Sequence, residues 1–160
     1  MYSKKVILTG SFGVGKTSLF NRFIANTFNE RYLTTIGVKV DKKEVTVNGQ
    51  NITLILWDIA GEVTQDKVPT TYFLGTSAII YVVDLTRPST HVNIDDDINF
   101  LMDLLPNCLI KTVGNKADLL NYNQLMNLQQ QSTFDVITSA KTGENVEGLF
   151  MDIASNLIGG

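Results

Sequence analysis

A chain of 160 residues with a net charge of −3 is long enough for one hydrophobic core and has no basic excess for nucleic acid or an anionic membrane surface. Its 44% apolar and 18% charged content excludes an intrinsically disordered chain. The longest unbroken apolar run, residues 78–83, is far too short to span a bilayer. The single cysteine, Cys108, cannot close an internal disulfide, so a reducing cytoplasm is the expected location; the residue is read as small and buried. The apolar run after Lys5 is broken at Gly10, which excludes a signal peptide. Tyr2 excludes the myristoylation pattern, and the ending LIGG has no prenylatable cysteine, so no membrane anchor is expected in this chain.

The first element is KKVILTG, residues 4–10, a buried strand. KTSLFNRFIAN follows as a helix with Leu19, Phe20, Phe23 and Ile24 on one face. VKVDKKEVTV and NITLILWD flank Asn48-Gly49, two residues that tolerate positive φ, so this segment reads as a hairpin. SAIIYVVD is a fully buried strand. VNIDDDINFLMDLL is a helix presenting Ile94, Ile98, Leu101, Met102 and Leu105. Its DDD, residues 95–97, reads as a solvated helix start rather than a metal cluster, since carboxylates favour the positive end of the dipole. His91, the only histidine, is read as a loop residue, and Met102, Met126 and Met151 as core fillers. CLIKTVGN and FDVITSA are two further strands, and NVEGLFMDIASNLI is a closing amphipathic helix. The alternation predicts an α/β fold over residues 1–160, a six-stranded and mostly parallel sheet with one antiparallel edge strand and helices on both faces. No repeat or linker divides it, and QQQ at 129–131 is too short to count as low complexity.

GSFGVGKT, residues 10–17, matches G-x-x-x-x-G-K-[ST] between a strand and a helix. In that context Gly10, Ser11, Phe12, Gly13, Val14 and Gly15 form a backbone nest for phosphates at a helix N-terminus, and Ser18 follows in the first helical turn. Lys16 is suited to neutralise terminal phosphates, and the Thr17 hydroxyl to hold Mg²⁺. VGNKADL follows a later strand. Guanine offers two adjacent donors that the Asp118 carboxylate can accept, whereas adenine presents an acceptor that would repel it.

Together GSFGVGKT, TTIG, WDIAG, NKAD and SAK resemble the Ras superfamily of small GTPases, and YLTTIGV, the hairpin and WDIAG look most like its Rab branch. The resemblance covers nearly the whole chain and implies a P-loop NTPase G domain that binds GTP or GDP with Mg²⁺. By that resemblance Asn115 braces the P-loop, the stem of Lys116 covers the base, Ser139 supports Asp118, and the Ala140 N–H meets the guanine carbonyl, with Lys141 completing the motif. Phe28 corresponds to the aromatic packed on the base. Thr35 corresponds to the threonine that closes on Mg²⁺ and the γ-phosphate, Asp58 to the Mg²⁺ carboxylate, and the Gly61 N–H to the γ-phosphate sensor. Two loops, roughly 28–37 and 58–74, would then relax when the γ-phosphate leaves. The implied partners are protein effectors, an exchange factor and an activating protein; the chain itself is expected to be a monomer.

Two residues depart from the family at the chemistry. The position after Gly61 is usually glutamine and here is Glu62, which can accept from an attacking water but cannot donate, and which adds negative charge beside the phosphate. A general-base role and an unrelated salt bridge are the other readings of Glu62. Phe12 stands where a small residue is common; its ring either crowds the γ-phosphate or lies outward on Tyr72 or Phe73. Pro69 should limit any helix in the second loop to a start near itself. Arg31, in the first loop where other GTP-binding families place a cis arginine, has a spacing from Thr35 one residue longer than that pattern needs; it reads as a solvated or partner-facing charge, with a catalytic role as the lesser alternative. Lys16, Thr35, Gly61 and Glu62 are therefore the candidate catalytic set. The favoured activity is slow GTP hydrolysis controlling partner binding; the alternative is a GTP-binding interaction module with little or no turnover.

Overall fold

The computed structural model describes residues 2–30, 35–131 and 133–159. Six strands run β1 (Tyr2–Gly10), β2 (Val38–Val47), β3 (Gln50–Ile59), β4 (Thr76–Asp84), β5 (Leu109–Asn115) and β6 (Val136–Ile137). Among the described residues, three α-helices lie between strands, α1 (Lys16–Ala25), α2 (Ile94–Leu104) and α3 (Tyr122–Gln131), and α4 (Val146–Ile158) follows β6. The sheet order is β2-β3-β1-β4-β5-β6. Among the described residues only β2 and β3 pair antiparallel, as the hairpin pattern requires, and Asn48 and Gly49 turn the chain at φ 51° and 78°.

Alternation along the strands divides the core into two layers. Val6 and Leu8 of β1 and Ile80 and Val82 of β4 face α1 and α4, where the rings of Phe23 and Phe150 stack with centroids 4.0 Å apart. Ile7, Ile79, Tyr81 and Val83 face the other way, against Leu101 of α2. From β1 the chain runs through α1 to the β2–β3 hairpin on one side of the sheet, and β4 lies on the other side of β1, so the strand order reverses at β1. That switch point, at the carboxyl ends of the strands, is where open α/β sheets place a ligand.

Several expectations need correction. Asp97 is 3% exposed, not a solvated helix start; Asp95 and Asp96 are exposed as expected. Met102 is 55% exposed, and Phe100 packs on the second core layer. Met151 does pack against the core. Cys108 is only partly buried. The QQQ run belongs to α3, a helix with no fully buried residue, which the apolar pattern did not announce. His91 lies in a turn but has partners: Nε2 sits 2.6 Å from the Asp84 carbonyl, and its ring meets the edge of Phe134.

Candidate nucleotide and magnesium site

The loop between β1 and α1 is built on two close approaches. Gly10 has φ 141°, and a Cβ there would lie 2.3 Å from the Val82 carbonyl. Gly15 has φ 103°, and a Cβ there would lie 2.2 Å from Asn115 Nδ2. Only glycine fits either position. Lys16 is 6% exposed, and its ammonium donates to the Gly10 and Ser11 carbonyls at 3.1 and 2.9 Å. Burial, with Arg87 acting in the same direction and Asp58 opposing, lowers its pKa to about 8.

This loop borders a cavity of about 320 Å³. Gly13, Gly15, Lys16, Thr17, Ser18 and Phe12 line it on the loop side, and Phe28, Thr35 and Gly61 come from the two segments flanking β2 and β3. Asn115, Lys116, Asp118, Ala140 and Lys141 close the far end. Val14, Asp58 and Ser139 are completely buried behind it. Glu62 does not line it, whereas Ile59 does, together with Leu119, Asn29 and Glu30, which sequence reasoning did not single out.

The far end is a hydrogen-bonded frame. Asn115 Nδ2 donates to the Val14 carbonyl at 3.1 Å, while its Oδ1 accepts from Thr138 Oγ1 at 3.0 Å and from the Ala140 N–H at 3.2 Å. A guanine carbonyl at Ala140 would therefore share that donor with Asn115. Ser139 Oγ donates to Asp118 Oδ1 at 2.8 Å, fixing the carboxylate at the cavity rim. Lys116, in a left-handed conformation at φ 71°, donates to the Gly13 carbonyl at 2.9 Å and pairs with Asp84 at 2.9 Å. Arg22 was not foreseen: it donates to the Ala140 and Lys141 carbonyls at 2.8 and 2.5 Å, tying the last loop to α1. Nothing local in the sequence marks such a contact, since it joins residues 118 positions apart.

On the other side, three oxygens converge. Thr17 Oγ1 lies 2.5 Å from both Thr35 Oγ1 and Asp58 Oδ2, and Thr35 Oγ1 lies 3.1 Å from the same carboxylate oxygen. Asp58 Oδ1 is buried with no hydrogen-bond partner among the described residues. Burial raises the Asp58 pKa, opposed by Thr17, Lys16 and Thr35. Two hydroxyls and one carboxylate, whose second oxygen is buried and unsatisfied among the described residues, make a hard oxygen donor set, which fits Mg²⁺. Once bound there, Mg²⁺ supplies charge neutralisation for phosphate oxygens.

The segment after β3 is anchored beneath the cavity. The Ala60 N–H donates to the Gly37 carbonyl at 2.9 Å, so the two mobile-loop candidates meet by backbone. A Cβ at Gly61 would lie 2.5 Å from Phe12 Cα, so glycine permits the contact with the phosphate loop. Phe12 is 53% exposed at the cavity mouth. Tyr72 turns instead to Trp57, at 6.1 Å, and Phe73 is buried in the core. Glu62 makes no ion pair among the described residues, which removes the salt-bridge reading within that set. Gln65 is fully buried: its Oε1 accepts from Thr9 Oγ1 at 2.5 Å, and its N–H donates to Asp97 Oδ1 at 2.9 Å. Pro69 precedes a short 3-10 turn, Thr70–Phe73, as its imide ring predicts. Arg31 and Thr34 lie outside the described residues.

Described residues of all five motifs line or back one cavity at the switch point of a six-stranded sheet. The Ras family sequence model matches residues 5–159. Ras-related protein Rab-4 of Dictyostelium discoideum is 34% identical over 94% of this chain and 77% of its own length. Ras-related protein Rab7 of Drosophila melanogaster is 35% identical over 96% of this chain and 80% of its own length. Ras-related protein Rab-1 of Theileria annulata is 34% identical over 98% and 74%. The class defined by this fold and cavity is the small GTPases, GTP-binding switches that hydrolyse GTP to GDP with Mg²⁺. The chain belongs to the Ras family, and its similarity is to Rab-named members. Guanine nucleotide and regulatory proteins are its partners in general terms. No helix among the described residues is long and apolar enough to cross a membrane.

Proposed function

We propose that residues 1–160 form a single G domain that hydrolyses GTP slowly and ends its active state with help from an activating protein. The convergence of Thr17, Thr35 and Asp58 carries the reading: the first loop, the second loop and the phosphate loop meet at a single oxygen cluster. Loss of the γ-phosphate removes a partner from Thr35 and from the Gly61 N–H, and both loops are released together. The free energy available to select partners is the difference in contacts between the two nucleotides.

In the proposed mechanism, Lys16 and the backbone of residues 10–15 hold the phosphates, and Asn115, Lys116, Asp118, Ser139, Ala140, Lys141 and Phe28 hold the base. Hydrolysis is slow because no amide follows Gly61. Glu62 lies outside the cavity lining and can at most accept a hydrogen bond donated by a water near the γ-phosphate; no side-chain donor at that position stabilises the transition state, and Phe12 at the cavity mouth narrows the approach of an outside arginine. The general-base alternative gains little from a loose transition state. A cytoplasmic location and protein effectors, an exchange factor and an activating protein complete the proposal. The experiment is nucleotide competition with phosphate release. Purified protein should bind GTP and GDP and discriminate against ATP, and Asp118→Asn should erase that preference. Equal ATP binding by the unaltered protein would overturn the base assignment.

A further inference from the structure

Three successive carbonyls of the phosphate loop are gripped from behind. The Phe12 carbonyl accepts from Arg87 Nη2 at 2.6 Å, the Gly13 carbonyl from Lys116 Nζ at 2.9 Å, and the Val14 carbonyl from Asn115 Nδ2 at 3.1 Å. A trans peptide is planar, so its N–H points opposite to its C=O. No described peptide bond here is cis. Each grip therefore aims the next residue's N–H, those of Gly13, Val14 and Gly15, away from the gripping side chain. Gly13 and Gly15 have φ of 75° and 103°, on either side of Val14, and such conformations curl successive N–H groups into an anion nest.

Asn115 and Lys116 belong to the NKAD motif. Arg87 belongs to no motif. It follows β4, immediately before the short turn Pro88–Thr90, and its side chain is 43% exposed. Its Nε donates to Asp84 Oδ2 at 3.0 Å, the oxygen that also pairs with Lys116 at 2.9 Å. One carboxylate, 1% exposed, thus seats two cations that reach two consecutive carbonyls. The carboxylate is itself fixed: Oδ1 accepts from the Thr86 N–H and hydroxyl at 2.8 and 2.6 Å. Burial would raise the Asp84 pKa, but Thr86 and Lys116 outweigh it and hold it below the usual range. At Arg87 two nitrogens of one guanidinium serve the two acceptors, Nε the carboxylate and Nη2 the Phe12 carbonyl, at a fixed separation; Lys116 reaches its own pair from one nitrogen, and a lysine at position 87 would have to draw both acceptors to a single atom.

We infer that Arg87 is a positioning residue of the phosphate site, setting the Phe12–Gly13 peptide so that the Gly13 N–H is presented to the terminal phosphates of the nucleotide. The inference rests on the nucleotide-site reading given above. It identifies a contribution from the loop after β4, outside the five motifs. Arg87 touches the loop backbone, and the cavity lining does not include it.

The test uses the isotope-labelled chain loaded with GDP and Mg²⁺, comparing unaltered protein with Arg87→Gln and Arg87→Lys. Two quantities are read: the Gly13 amide proton shift, with Gly15 as the internal reference, and the rate of GDP release. In unaltered protein, GDP should move the Gly13 amide strongly downfield. Both variants should lose most of that shift, keep the Gly15 shift, and release GDP about tenfold faster, the scale of one charge-assisted hydrogen bond. A Gly13 shift unchanged in Arg87→Gln would overturn the inference. Release restored to the original rate in Arg87→Lys would also overturn it, because charge rather than fork geometry would then suffice. If the unaltered protein takes up GDP but shows no Gly13 shift, the inference fails while the nucleotide reading stands; if it takes up no GDP, both fail.

Discussion

At Glu62 the change from the family pattern is one amide group to one carboxylate. The oxygen that can accept from water is retained and the N–H₂ donor is lost, so the expected cost falls on transition-state stabilisation rather than on nucleotide binding. Glu62→Gln should therefore raise single-turnover phosphate release by about tenfold or more, with GTP affinity little changed. A fall in rate would mean that the carboxylate acts as a base. Cys108 offers a second residue-level check. Burial pushes its thiol from 9.0 up to about 11. At pH 8 its alkylation should run about a hundredfold slower than that of an unperturbed thiol, since the thiolate is the nucleophile. The sign for stability follows: with the folded pKa raised, the contribution is complete below about pH 9 and is lost as pH rises towards 11. The urea midpoint of the unaltered protein should fall relative to Cys108→Ala over that window.

At the scale of elements, the polar contacts buried beneath the second loop matter more than the chain-local patterns. Asp97 on α2 accepts from the Gln65 N–H and from the Tyr81 hydroxyl, at 2.9 and 2.6 Å, and so joins α2, the second loop and β4 inside the core. Burial and this carboxylate both push the Tyr81 pKa up, so the phenol stays a donor. Asp97→Ala orphans two buried donors and should cost about 3 kcal/mol in urea unfolding, with Asp97→Asn costing less because one acceptor survives. The sequence could not announce this. A DDD run at a helix start is ordinary solvated chemistry, and Asp97 differs from Asp95 and Asp96 only because Gln65 and Tyr81 fold against it. The hairpin at Asn48-Gly49 and the turn after Pro69 were legible because their causes lie within four residues. Helix α3 was not, because its weak apolar pattern buries no residue fully. Arg22 and Arg87 were invisible for a related reason: both act on backbone carbonyls of distant loops, and a carbonyl carries no sequence signature.

For the molecule as a whole, stability and ligand are linked through the cavity at the end of β1. Phosphate loop, first loop, second loop and NKAD frame are four separate stretches of chain, and a ligand that touches all of them stabilises only the folded state. GDP with Mg²⁺ at a hundredfold excess over its dissociation constant should add about 2.7 kcal/mol to the unfolding free energy. The check is a pair of thermal melts with and without a chelator: the shift should shrink when Mg²⁺ is removed. Asp58→Ala should lose the Mg²⁺-dependent part, because it deletes the buried oxygens at the convergence point. The ordered motifs made this overall arrangement legible in the sequence, since each needs only a strand end and a short loop. What binds the loops to one another had to come from the folded chain.

Trp57 is the only tryptophan in the chain, and it sits at the edge of the moving region. The Lys5 ammonium lies 3.7 Å from its ring centroid, the Tyr72 ring meets it edge-on, and Lys5 also donates to the Tyr72 and Leu74 carbonyls at 2.5 and 2.9 Å. One cation thus ties the indole to the end of the second loop. Any shift of that loop alters the charge and the aromatic neighbour next to the indole, and with them its emission. The protein carries its own optical clock: stopped-flow fluorescence at a single wavelength should follow each release of the loop in real time, with no label attached.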